Sequence, residues 1–147
     1  MALTTVQSGM IASGIPTFSY YQSVAQAVTS SPTKITFTSS EWDTTGGMFS
    51  SSRFTPTVAG YYQINACVAV QTTATSLHIG VYKNGTLYKW SGQQSNSTRY
   101  AENTSVLVYC NGSTDYIEIY ATFNDSQNTQ AFQTSCYFQG CLLRSAN

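Results

Sequence analysis

His78 is the only histidine of the chain and lies between Leu77 and Ile79. A Ser-His-Asp arrangement would need it as base, since no second imidazole exists to take the serine proton. Flanked by aliphatic residues, it reads instead as a half-buried strand histidine. Glu41 and Asp43 bracket Trp42, and paired carboxylates are what glycoside hydrolysis uses. Two apart in an extended segment they share a face, but the pattern equally suits a solvated loop around a core-anchoring tryptophan, and that reading is adopted. Asp115 and Glu118 read as a turn residue and a strand-surface residue. Cys67, Cys110, Cys136 and Cys141 include no pair with the two-residue gap of a zinc or thioredoxin motif. They are expected to be buried free thiols rather than disulfides, because cysteine packs as a small apolar side chain. One imidazole, scattered thiols and few carboxylates assemble no metal or cofactor site. No enzyme is expected.

Aromatic and amide side chains offer a second chemistry, stacking combined with hydrogen bonding, which suits sugar recognition. Residues 88–100 and 124–133 have that composition, and loops on rigid β scaffolds carry function. Trp90, Tyr100 and Asn124 are the candidate ligand contacts there. The same composition runs through the whole chain. Ser, Thr, Asn and Gln make up 60 of 147 residues, while charged residues are only 8%, where about 25% is usual. Lys34, Arg53, Lys83, Lys89, Arg99 and Arg144 are scattered, without the clustering that a nucleic-acid partner requires. No apolar run approaches the roughly 20 residues of a membrane span, so no membrane partner is expected. Residues 1–7 lack a basic patch and an apolar stretch and do not read as a signal peptide. The five Asn-x-Ser/Thr sites, at Asn84, Asn96, Asn103, Asn111 and Asn124, then read as by-products of Ser/Thr abundance and turn-forming asparagine. A surface with so little charge has little colloidal repulsion and suits life inside an assembly.

The elements that position these residues are strands. Helix formers are rare, β-branched and aromatic residues dominate, and alternation with period two recurs. Tyr62, Ile64, Ala66, Val68 and Val70 occupy one face of a strand, and Tyr61, Gln63, Asn65, Cys67 and Ala69 the other. A strand over 77–82 turns at Asn84-Gly85, the strongest short hairpin signal, into Leu87, Tyr88 and Trp90. Further strands are predicted at 106–109, ended by Asn111-Gly112, at 116–123, and at 136–143. Earlier ones are expected at 18–21 and 35–37, with a turn at Thr45-Gly46-Gly47. Eight to ten short strands divided by turn residues mean an antiparallel sandwich or barrel. Residues 1–15, small and polar, read as an arm preceding a domain over 16–147.

Phe54, then Gly60, then Tyr62, within the run Phe54-Thr55-Pro56-Thr57-Val58-Ala59-Gly60-Tyr61-Tyr62, resembles the central signature of the complement C1q and tumour-necrosis-factor-like jelly roll. Pro16-Thr17-Phe18-Ser19 is similar to the family's first strand. Ile35-Thr36-Phe37 with Asp43, Gly46-Gly47 and Phe49 is similar to the approach to the signature. Val81-Tyr82-Lys83-Asn84-Gly85 resembles the middle hairpin, and Phe138-Gln139-Gly140-Cys141-Leu142-Leu143 the closing strand. Departures are Ile64 and Ala66 at positions usually aromatic, and Cys141 where phenylalanine is frequent. Gly60 is expected to permit a tight entry that a bulkier residue could not adopt, and the Tyr62 phenol to need a partner at the core rim.

The resemblance implies an all-β jelly-roll sandwich forming a homotrimer, in which Tyr61, Gln63 and Asn65 either meet their copies around a threefold axis or face solvent. Phe18, Phe138 and Tyr137 are further interface candidates, with ordinary core duty the alternative. Some family members hold calcium through loop carboxylates; Glu41, Asp43 and Asp125 are the residues that could contribute here, with no calcium-loop motif. The Thr-Pro-Thr-Val-Ala-Gly-Tyr-Tyr-Gln phrasing is similar to versions in bacteriophage virion proteins. That implies a module on the particle exterior, as capsid decoration or short fibre, contacting other virion proteins through its N-terminal arm. The alternatives are a fibre-tip module binding a host surface glycan and, behind it, a secreted C1q-like lectin.

Overall fold

An apolar residue at every second position sends all those side chains to one side of a pleated strand. In the computed structural model, which describes residues 14–74, 76–91, 99–124 and 126–146, Tyr62, Ile64, Ala66, Val68 and Val70 are all buried. They lie on the longest of the thirteen strands among the described residues. In chain order these are β1 (Thr17–Tyr21), β2 (Ala27–Val28), β3 (Thr33–Lys34), β4 (Ser39–Asp43), β5 (Phe49–Ser50), β6 (Arg53–Phe54), β7 (Gly60–Ala74), β8 (Leu77–Lys83), β9 (Thr86–Trp90), β10 (Arg99–Cys110), β11 (Ile117–Phe123), β12 (Gln127–Asn128) and β13 (Tyr137–Ser145).

Two layers result. The first runs β10-β7-β13-β1-β4 and the second β5-β6-β11-β8-β9, with β3 also on β11 and a small β12-β2 ladder beside them. The pairings are antiparallel. Between the layers, Phe18 packs against Phe54 at 4.5 Å and edge-on against Phe138 at 5.1 Å between ring centroids. Ile79, Val81, Ile117 and Ile119 close the core from the second layer. Tyr62 meets the expectation for its phenol: its hydroxyl donates to the Val58 carbonyl at 2.8 Å, and burial pushes its pKa up to about 12. The Asn84-Gly85 hairpin forms as predicted, with φ of 54° and 75°.

Three expectations change. Ile35 and Phe37 are buried but form no strand. Ile35 donates its N–H to the Ile119 carbonyl, whereas Phe37 donates to the Ser52 hydroxyl, so a side chain replaces the ladder partner. Gly60 is required by a neighbour rather than by its own dihedrals. A Cβ there would lie 2.4 Å from the Arg144 carbonyl oxygen and 2.7 Å from the Leu142 side chain, where β13 bulges between Leu142 and Arg144. Ala69, predicted on the open side of β7, is buried. The segment before β13 covers it: Gln130 donates to the Ala69 carbonyl, and the Ala69 N–H donates to Cys136 Sγ at 3.2 Å.

Candidate functional site: an uncharged sheet face and a tryptophan-walled cleft

The side of β7 opposite the core carries Tyr61, Gln63, Asn65 and Cys67. Register places Tyr109, Leu107, Ser105 and Asn103 of β10 directly beside them. On the other flank Cys141, Gln139 and Tyr137 of β13 pair with Gln63, Asn65 and Cys67. Directly opposed residues share a face, so these three strands form one surface. Its centre holds no carboxylate, ammonium or guanidinium group. Tyr61 and Tyr109 pair at 5.4 Å between ring centroids, and Leu107 is 50% exposed. The Gln63 amide donates to the Ser105 hydroxyl at 2.8 Å, fixing it in the plane of the sheet. Charge returns only at the rim. Arg144 stands beside Tyr61, and Glu41 accepts from the hydroxyl of Ser19 and the amide of Gln133. Next to Asn65 a groove of about 290 Å³ opens between Trp42, Thr17 and Gln139, floored by Gly140.

Tyr61, Gln63 and Asn65 therefore point away from their own core, on a surface that no other described element covers. Leu107, Tyr109 and Trp42 join them there and escaped sequence reasoning. The signal available was the period-two run Asn103, Ser105, Leu107, Tyr109, masked by the apolar block 106–109. Phe18 and Phe138 are corrected: both are fully buried, because each sits on the inward alternate of its strand and stacks within the aromatic core. They have no surface to give a second chain.

The four cysteines are free. Burial pushes the thiols of Cys67 and Cys110 up to about 11, and burial also raises Cys136. The paired carboxylates serve structure. Asp43 accepts from the Tyr20 hydroxyl at 2.8 Å and from the Thr45 N–H at 2.7 Å. Burial works to raise its pKa, and the Thr45 and Tyr20 bonds together outweigh it and lower it. Asp115 ties two turns together through Asn84, Lys83 and Asn111. Glu118, expected on the surface, is 2% exposed and accepts from Lys34 at 2.7 Å and Arg53 at 2.9 Å.

The outward side of the second layer holds the other candidates. Trp90 ends β9, 42% exposed, with its ring edge-on to His78 at 5.9 Å. His78 is half-buried, as expected, and its Nε2 lies 2.9 Å from the Ser76 hydroxyl. Asn124 is exposed, but its side-chain oxygen accepts the Ser76 N–H at 2.9 Å, a turn-holding bond. Asn124 is linked through Ser76 to His78 but is not among the residues that line the cleft beside Trp90. The Tyr100 side chain, residues 92–98, Asp125 and residues 1–13 of the arm lie outside the described residues.

No protein-family model matches the sequence, and no curated protein matches it. Solved structures are similar over nearly its full length. Eiger TNF from S. frugiperda superposes with a TM-score of 0.70 at 8% identity, over 91% of this chain and 96% of that one. The globular domain of zebrafish complement 1qA protein gives 0.65 at 15% identity, over 89% and 98%. Murine APRIL gives 0.69 at 9%, over 87% and 98%. The shared property at such identities is the fold, an all-β sandwich of the C1q and TNF jelly-roll type.

Proposed function

We propose that this chain is a non-enzymatic structural module whose uncharged β7 face packs against copies of itself in a homotrimer. The trimer is displayed on the exterior of a bacteriophage particle, as capsid decoration or a short fibre module, and the N-terminal arm docks it to other virion proteins. The observation that carries self-association is the chemistry of the face centred on Gln63. Tyrosine, leucine and amide side chains lie together without a charge, the composition of an interface centre, and the charged residues stand at its rim. The phage context is supported by the Thr55–Gln63 phrasing and by a charge content too low for a chain that stays dispersed by repulsion.

Light scattering of the purified chain tests the association. Three copies of 16.0 kDa give a particle of about 48 kDa, and a monomer at micromolar concentration would refute the reading. Gln63→Glu tests the position, since like charges brought together repel; a trimer indifferent to it would remove Gln63 from the contact. Antibody labelling of particles separates the two displays, with many copies over the shell for decoration and a few at appendage ends for a fibre.

A further inference from the structure

We propose that the cleft beside Trp90 is a binding site for the ring of a neutral hexose. The cleft measures about 540 Å³ and is lined by Ser30, Pro32, His78, Trp90, Ser91 and Thr122, a size in the range of small-ligand sites. Its floor is the directly opposed pair His78 of β8 and Thr122 of β11. Both point outward because their strand neighbours Leu77, Ile79, Ala121 and Phe123 fill the core.

One wall is the segment carrying Ser30 and Pro32. It is clamped to β11 by the Phe123 N–H bond to the Thr29 carbonyl at 2.9 Å and by the pairing of β3 with β11. The facing wall is the Trp90 indole, which closes over Gly80. A Cβ on Gly80 would already lie 3.3 Å from Trp90 Cζ3, 2.8 Å from the Tyr82 ring and 3.1 Å from Leu87, so glycine is what lets the aromatic wall seat on the sheet. His78 braces the indole edge-on and is itself held by Ser76. Both walls are fixed by contacts within the sheet.

The lining chemistry selects the occupant. Trp90 is 42% exposed, and the face of its indole is electron-rich, suited to the C–H face of a pyranose. Around it stand neutral hydrogen-bonding groups with spare capacity. The Ser30 and Thr122 hydroxyls make no hydrogen bond among the described residues. Ser91 Oγ accepts the Ile79 N–H at 3.0 Å and retains its own proton to donate. His78 has one ring nitrogen engaged and the other uncommitted. No charged side chain is among the described residues that line it, so among them neither a phosphate nor a sialic acid carboxylate finds a counter-charge. A greasy peptide would strand the hydroxyls without partners. The site lies on the layer opposite the β7 face and needs only the single-chain fold, so it stands or falls independently of the trimer.

The test uses the intact chain in a Trp42→Phe background, leaving Trp90 as the sole indole. Methyl glycosides of glucose, galactose, mannose and N-acetylglucosamine are titrated by fluorescence and by saturation-transfer NMR, beside an array of neutral and sialylated glycans. The expected result is saturable binding of at least one neutral hexoside with a change in Trp90 emission. Affinity should fall about tenfold or more in Trp90→Ala, and likewise in Thr122→Arg, which fills the floor while keeping the indole. Gln63→Glu should leave the intrinsic affinity unchanged. Thermal midpoints identify a variant that fails to fold, in which case the other decides. Absence of binding by every neutral glycan, or binding retained in the folded variants, overturns the proposal. A requirement for sialic acid overturns it too.

Discussion

Glu118→Gln removes one charge and almost no volume from the outward side of the second layer. In the native chain the Glu118 carboxylate is 2% exposed; one oxygen accepts from Lys34 at 2.7 Å and from Arg53 Nε at 2.9 Å, and the other takes the Tyr120 hydroxyl at 3.4 Å. Lys34 and Arg53 keep their charges, so each ion pair becomes a charge–dipole hydrogen bond rather than a neutral one, and the two together lose about 2 kcal/mol. Easier burial of a neutral amide offsets part of this, and water reaches the Lys34 and Arg53 side chains, which are 29% and 43% exposed. The net loss is about 1–2 kcal/mol at pH 7. For a domain of this size that lowers the thermal midpoint by roughly 2–8 °C. The pH dependence follows from the Glu118 pKa. Burial works to raise it, but the Lys34 and Arg53 bonds and charges together outweigh burial and lower it below the usual glutamate value. A depressed folded pKa contributes stability above the unfolded value, and that contribution is lost as pH falls through the folded one. Urea unfolding of both proteins from pH 7 to pH 2 should therefore show the gap between them closing on the acid side. A variant as stable as the native chain at pH 7, or a gap constant with pH, refutes the reasoning.

Phe18→Ala should destabilise the fold by about 3–5 kcal/mol in urea unfolding, because the ring touches Phe49, Phe54 and Phe138; a change in association with unaltered subunit stability would return Phe18 to the interface. Gly60→Ala forces β13 away from its 2.4 Å approach and should cost about 1–3 kcal/mol by the same measurement, whereas a neutral effect would show that the bulge yields freely. Cys110 and Cys136 are buried, with Cys110 pushed up to about 11 by burial, so Ellman's reagent at pH 8 should reach them only after unfolding; rapid reaction of either in folded protein contradicts their placement.

The fold was legible wherever one period dominated. The inward series of β7 and the Asn84-Gly85 turn each carry their own structural instruction, period two in one case and left-handed φ in the other. Ile35 and Phe37 look like strand residues because burial demands apolar side chains, and burial is indifferent to whether a carbonyl or the Ser52 hydroxyl satisfies the backbone. Phe18 and Phe138 were ambiguous for a related reason: an aromatic on a strand fits a core and an interface equally, and only the pleat decides. Trp90 stood out by type alone. Its partners did not, since Ser30, His78 and Thr122 are brought together by the pairing of β11 with β3 and β8, a long-range fact with no local signature.

The distribution of charge separates the two outward surfaces. Lys34, Arg53, Lys83, Lys89, Asp115 and Glu118 all belong to the second layer or its turns, and Arg53 lies over the Tyr116 ring at 3.9 Å. The first layer carries nearly as many, Glu41 and Asp43 on its edge strand β4, Arg99 and Glu102 near the start of β10 and Arg144 near the end of β13, and they leave the stretch around Gln63 with tyrosine, leucine and amides. An uncharged patch ringed by charge is the arrangement that the proposed contact between copies requires, whereas a sheet face left wholly to solvent would carry ions across its middle as well. The Trp90 cleft lies on the opposite layer, so the proposed sugar site and the proposed contact between copies do not compete.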